Sequence, residues 1–314
     1  MHTAVMLCGH GSRDGEAIAE LEQAAAGLRT LRPGLDLATG YLEFARPTIR
    51  DGLEALRSRG ARRILAVPAM LFAASHVKND LPWEINSFAA ANPALALRFG
   101  RELAIEPKLL RAASDRIATA EEGARYAVPR SQTLLLVVGR GTNDPDANSN
   151  IAKLTRLLWE GMGFAWAETA FSGVASPLVE PALRQALRLG YRRIVVFPYF
   201  LFTGILVKRI YAAADRVAAA HPEIEILKAP YLSDHPLVLD CLADRIAELV
   251  DGEPGMNCQL CKYRTQIVGY EADAGAAQAA HHHHVRGIGG GAHHHRHDGH
   301  EDEHEHRANG HAAG

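Results

Sequence analysis

Apolar positions along residues 1–251 follow two alternating patterns. Short, nearly unbroken aliphatic runs take turns with longer stretches in which apolar residues recur every three or four positions. The first pattern predicts strands covered on both faces, and the second predicts amphipathic helices. In the first half, strands are expected at residues 3–8, 35–41, 63–67 and 94–99, and helices at 15–31, 47–58, 80–91 and 107–120. Pro47 and Pro107 suit a first helical turn, and Gly60 suits a helix stop. Such alternation predicts an α/β fold with parallel sheets and right-handed crossovers.

The pattern occurs twice. Gly9-His10-Gly11-Ser12-Arg13-Asp14 returns as Gly139-Arg140-Gly141-Thr142-Asn143-Asp144, a displacement of 130 residues. At the same displacement Ala45 and Pro47 meet Ala175 and Pro177, Arg62-Arg63-Ile64 meets Arg192-Arg193-Ile194, and Lys78 meets Lys208. After a one-residue deletion, Asp115-Arg116-Ile117 meets Asp244-Arg245-Ile246. The period is far too long for a solenoid unit, so the chain reads as two tandem duplicated α/β domains. They are expected at 1–126 and 131–251, followed by a tail at 252–314.

The tail breaks the pattern. It is rich in Gly, Ala, His and acid, and a segment of this kind buries too little apolar surface to offset its ordering entropy, so disorder is expected. Twelve of the 17 histidines lie beyond residue 280. His281, His282, His283, His284, His293, His294, His295 and His297 alternate with glycine and acids, unlike the uninterrupted run of an expression tag. Dense imidazoles beside carboxylates predict an accessory site for Co²⁺, Ni²⁺, Zn²⁺ or Cu²⁺.

Charge and cysteine usage narrow the function. Lys+Arg is 34 and Asp+Glu 36, a net charge of -2, which argues against a nucleic-acid partner. The longest apolar runs are about half of what spans a bilayer, so no membrane partner is expected. Met1 leads into a strand-like run without a basic lead, so no signal peptide is expected. Four cysteines make no disulfide framework, and a cytoplasmic location follows as the expectation. Cys8 and Cys241 read as packing residues. Cys258-x-x-Cys261 supplies two ligands where a tetrahedral zinc or a [4Fe–4S] cluster wants four; a second chain could supply the others, which would make the site the bridge of a homodimer. Two exposed thiols are the other reading.

In a parallel sheet the loops after each strand share one edge, where ligands bind. His10, Glu43 and His76 follow three successive strands of the first half, and their counterparts in the second are Arg140, Gly173 and Leu206. Two imidazoles and a carboxylate on one edge make a divalent-metal and proton-acceptor set. A histidine phosphatase would carry Arg before its first histidine, where Gly9 stands. A dinucleotide site would want G-x-G-x-x-G, which Gly9, Gly11 and Gly15 miss. A His-rich nickel or cobalt storage or metallochaperone protein is the rival of a different class.

Cys8-Gly-His-Gly-Ser-Arg, Leu42-Glu-Phe-Ala-Arg-Pro-Thr-Ile and Val67-Pro-Ala-Met-Leu-Phe-Ala-Ala-Ser-His-Val-Lys-Asn-Asp-Leu-Pro, in that order, resemble the sirohydrochlorin cobaltochelatases of the CbiX type. These are class II chelatases, related to sirohydrochlorin ferrochelatases and nickelochelatases. The resemblance covers residues 1–251 in a fused long form, and the Cys and His tail is similar to long members. It implies a chelatase-like fold and ATP-independent insertion of Co²⁺ into sirohydrochlorin during cobalamin biosynthesis. It implies His10 as proton acceptor and metal ligand, His76 as second ligand, and Glu43 as an auxiliary carboxylate. Arg46 and the loop Leu71, Phe72, Ala73, Ala74, Ser75 and His76 would line the macrocycle. It also favours an iron–sulfur centre at Cys258 and Cys261. Small members often carry a further His in the segment matching 71–75, and this chain has none there. A carboxylate-rich substrate calls for a positive mouth, for which Arg13, Arg46, Lys78 and Arg140 are the candidates.

Overall fold

The computed structural model describes residues 1–252, 263 and 267–277. The first half runs β1 (Thr3–Gly9), α1 (Gly15–Leu31), β2 (Asp36–Tyr41), α2 (Ile49–Ser58), β3 (Arg63–Pro68), a π-helical turn (His76–Asp80), α3 (Leu81–Ala91), β4 (Ala96–Phe99) and α4 (Pro107–Glu122). The second half repeats this order as β5 (Thr133–Gly139), α5 (Pro145–Met162), β6 (Trp166–Phe171), α6 (Val179–Leu187), β7 (Arg193–Pro198), α7 (Ile205–Ala220), β8 (Glu225–Lys228) and α8 (Pro236–Asp251). Each half forms one parallel four-stranded sheet, in the orders β2-β1-β3-β4 and β6-β5-β7-β8. The expected α/β class and its duplication are borne out.

Alternation along the central strands explains the core. Val5 and Leu7 of β1, and Leu135 and Val137 of β5, point into one hydrophobic cluster that spans both halves. Their neighbours Ala4, Met6 and Cys8 face a separate cluster under α2 and α3, and Leu134, Leu136 and Val138 face a third under α6 and α7. Strand period two thus assigns alternate residues to a shared interior and to an outer layer.

The terminal helices are exchanged. α8 packs on β3 of the first sheet, and α4 packs on β7 and β8 of the second. Arg63 and Arg98 donate to the Leu249 carbonyl at 2.7 and 2.9 Å, while Arg116 donates to the Leu232 carbonyl at 2.9 Å. Arg245, 2% exposed, pairs with Glu106 and with Glu248. Each half thus gives its last helix to the sheet of the other.

Two expected helix starts are corrected. Pro47 lies before its helix, not in the first turn. Thr48 is the N-cap, its hydroxyl accepting from Asp51 N while Asp51 accepts from Thr48 N, and this capping box fixes the start at Ile49. α3 starts at Leu81 rather than Asp80, because the chain first makes the wide turn His76–Asp80, with Leu81 N donating to His76 O. Pro82 has no N–H for an ordinary helical bond at this point, and its ring crowds the preceding turn. Among the described residues no helix is long and apolar enough to cross a membrane.

Candidate active site

The loops after β1, β2 and β3 bring His10, Glu43 and His76 together, one donor atom of each lying within 4.8 Å of the others. His10 leaves β1 directly, its ring Nδ1 2.9 Å from the Gly11 carbonyl. In the tautomer with the hydrogen on Nδ1, that nitrogen donates to the Gly11 carbonyl and Nε2 holds the lone pair. Nε2 lies 3.2 Å from Glu43 Oε1 and 2.9 Å from Arg140 Nη2, which reaches across from the second half. The His76 ring stands edge-on to His10, with centroids 4.6 Å apart. Its Nδ1 meets Asp80 Oδ2 at 2.6 Å, so a buried carboxylate orients the imidazole and leaves the lone pair on Nε2.

Local backbone geometry explains the convergence. Glu43 N donates to His10 O at 3.0 Å, continuing the β1–β2 pairing into the loops. Gly11, at φ +92°, lies so close to the Glu43 carbonyl that a Cβ there would fall 1.7 Å from the oxygen. Only glycine lets the two loops approach this closely. Gly141 stands in the same relation to the Gly173 carbonyl, at 1.9 Å. The frame is thus duplicated, while the His10–Glu43–His76 set occurs only in the first half.

The trio opens on a cleft of about 760 Å³ between the halves. This is the size range of small-molecule sites. The first half contributes Arg13, Phe44, Leu71, Phe72, Ala74, Ser75 and His76, and the second contributes Arg140, Val174, Tyr199, Phe202, Ile205 and Leu206. Burial pushes the Tyr199 phenol far above its usual range. Arg140 is exposed as a residue, but its head group lies in the cleft, where desolvation lowers its pKa against the opposing charge of Glu43.

Several expected positions are corrected. Ala73 is 2% exposed and packs in the outer core rather than lining the cleft. Arg46 lies outside the cleft lining, exposed, with Asp51 at 3.9 Å. Lys78 does not belong to the positive mouth: its side chain is fully buried, 2.9 Å from both Asp144 and Asp146. Burial draws the Lys78 ammonium down, but hydrogen bonds to these two carboxylates outweigh it, so its pKa ends above the usual lysine value. Arg13 does reach the mouth, its guanidinium 4.8 Å over the Phe44 ring. Cys8 and Cys241 are buried thiols, raised by desolvation to about 12 and about 11. Cys258, Cys261 and the histidines from His281 onward lie outside the described residues.

Sequence reasoning missed Asp80, Phe44 and the wall formed by the second half. Asp80 was signalled by its i,i+4 spacing from His76. The wall was signalled by the repeat itself, since residues 201–206 are the counterparts of 71–76.

Two parallel sheets joined across a cleft, with an imidazole–carboxylate cluster on one lip, define a chelatase-like α/β protein. The structure of SirB from Bacillus subtilis with Fe³⁺ superposes with a TM-score of 0.69 at 27% identity, covering 80% of this chain and 96% of that one. The CbiX family model matches residues 4–120 and 134–249, and the chain belongs to that family. It is 35% identical over 265 residues to a sirohydrochlorin cobaltochelatase of Priestia megaterium, covering 84% of this chain and 86% of the relative. It is 29% identical over 253 residues to a sirohydrochlorin ferrochelatase of the same organism, covering 80% of this chain and 91% of the relative.

Proposed function

We propose that this protein is a metal chelatase that inserts Co²⁺ into sirohydrochlorin without ATP, in cobalamin biosynthesis. The observation that carries the reading is the meeting of two imidazoles and a carboxylate on the lip of a 760 Å³ cleft. The 35% identical cobaltochelatase supports both substrate and metal. The ferrochelatase relative keeps Fe²⁺ as the alternative metal, and the same donors accept Ni²⁺.

Metallation exchanges two pyrrole N–H protons for one divalent cation, which must shed its water, and no electron moves. His10 and His76, each with its lone pair on Nε2, receive the incoming ion as substrate. Glu43 offsets its charge. Once the ion has passed from it to the ring nitrogens, His10 Nε2 takes the two pyrrole protons in turn and releases each to solvent, a role suited to a neutral imidazole with an unperturbed pKa of about 6.5. Asp80 fixes the tautomer and orientation of the His76 ring. Leu71, Phe72, Ala74 and Ser75 border the macrocycle, and Arg13 and Arg140 take its carboxylates.

The halves at 1–126 and 131–251 form one catalytic unit in the cytoplasm, and 252–314 is an accessory to it. The composition of that tail supports metal loading by its histidines. Cys258 and Cys261 supply half the ligands of a [4Fe–4S] cluster, which two chains would share. Iron and sulfide analysis beside light scattering on one anaerobic sample tests the cluster; a colourless, iron-free protein after reconstitution rejects it.

The function is tested by mixing the protein anaerobically with sirohydrochlorin and Co²⁺, Fe²⁺ or Ni²⁺ and following visible absorption. The expected result is fastest insertion of Co²⁺. A storage protein would bind the ions and leave the macrocycle spectrum unchanged, and that outcome with all three metals overturns the reading.

A further inference from the structure

Val174 occupies a turn that gives it no place in the core. Ala175 N donates to Gly173 O at 2.7 Å, across a single residue, and Val174 between them has φ +63°. This is a γ-turn of positive φ, the rare and strained form. A β-branched side chain is the least suited to that region, and glycine would adopt it without a Cβ clash. Val174 is nevertheless 81% exposed, and it borders the cleft. An exposed valine adds little to the core, so among the described residues burial of this side chain does not offset the strain.

The first half has the same turn, with Phe44 at φ +62° and Ala45 N donating to Glu43 O at 2.8 Å. There the turn also aims a functional group, because the Glu43 carboxylate comes to 3.2 Å from His10. In the second half Gly173 replaces the glutamate. The turn persists without the carboxylate, and what it delivers is the side chain at its apex. Ile205, 52% exposed, and Leu206 border the same cleft at the positions equivalent to Ser75 and His76. Where the first half presents ligands, the second presents exposed aliphatic groups.

We propose that Val174, with Ile205, is a substrate-positioning grip that contacts the apolar face of the tetrapyrrole ring and holds the ring against the His10–His76 wall. This rests on the chelatase reading. Covering an exposed valine accounts for a change in ring affinity of about tenfold. The strained turn fixes the side chain in place before the ring arrives, so ordering it on binding costs little.

The test uses the full chain, with sirohydrochlorin titrated in the absence of metal and insertion kinetics measured on the same preparations. Val174→Gly should weaken ring binding about tenfold and raise KM more than it lowers kcat, while the thermal midpoint stays level or rises because the strain is relieved. Val174→Ile keeps the apolar contact and should bind like the unaltered protein. An unchanged Kd in Val174→Gly, beside normal binding by the unaltered protein, overturns the grip, and a lowered midpoint with unchanged Kd would assign Val174 to the fold instead. If the unaltered protein binds no sirohydrochlorin, the chelatase reading fails, and the grip fails with it.

Discussion

At the carboxyl edge of the first sheet stand His10, Glu43 and His76; at the same three places of the second stand Arg140, Gly173 and Leu206. The sheets have the same strand order, the same close glycine in the first loop and the same strained turn in the second. The difference between a wall of two imidazoles and a carboxylate and one of a guanidinium, a glycine and a leucine therefore lies in three side chains on a common frame. The second half is not idle, however. Arg140 reaches the His10 ring at 2.9 Å, and α8 covers the sheet that carries the histidines. The ion pairs between halves show the same inequality. Lys78 meets Asp144 and Asp146 in a fully buried cluster, whereas its counterpart Lys208 meets Asp14 and Glu16, each at 2.8 Å, with half its side chain in solvent.

The sharpest break of this comparison is His76→Ala, which removes a proposed metal ligand present in one half only. Insertion should fall by more than about 100-fold, beyond the roughly 10–100-fold typical for loss of an outer partner of a metal ligand, with the far-UV circular dichroism unchanged. Leu206→Ala, at the equivalent place, should leave most of the rate; equal losses in the two variants would contradict the one-sided assignment. Lys78→Met leaves two buried carboxylates unmatched and should lower unfolding free energy by about 3–5 kcal/mol in urea titration. Lys208→Met should barely move the urea midpoint, because its partners rehydrate. Asp80→Asn should keep the fold and reduce insertion by roughly 10–100-fold through the misoriented His76 ring. Loss of less than about twofold would mean that Asp80 does not hold the tautomer.

The convergence of the trio was legible because a parallel sheet gathers its loops on one edge, so strand positions alone fix which residues meet. The repeat was legible because Gly11 and Gly141 each answer a steric demand that only glycine meets. The exchange of α4 and α8 was not, because an amphipathic stripe states that a helix covers a sheet without stating which one. Lys78 looked like a mouth residue because its partners, Asp144 and Asp146, lie in the other half. Asp80 was missed despite its i,i+4 spacing from His76, because the turn His76–Asp80 lies before the expected helix start and so read as loop. Ala73 and Arg46 sit beside true lining residues, and the turns that rotate one into the core and the other out of the cleft leave no pattern in the sequence.

The central claim is that proton transfer and metal capture belong to the first half, while the second half binds. Single-turnover insertion tests it most directly: sirohydrochlorin is bound first, Co²⁺ is then added anaerobically, and the absorption change is followed in His10→Ala and Arg140→Ala. The account predicts that His10→Ala binds the macrocycle normally but inserts metal at least about 100-fold more slowly, a loss in the chemical step. Arg140→Ala should lose mainly affinity, with a raised KM. An Arg140→Ala protein as inactive as His10→Ala at unchanged KM would contradict it.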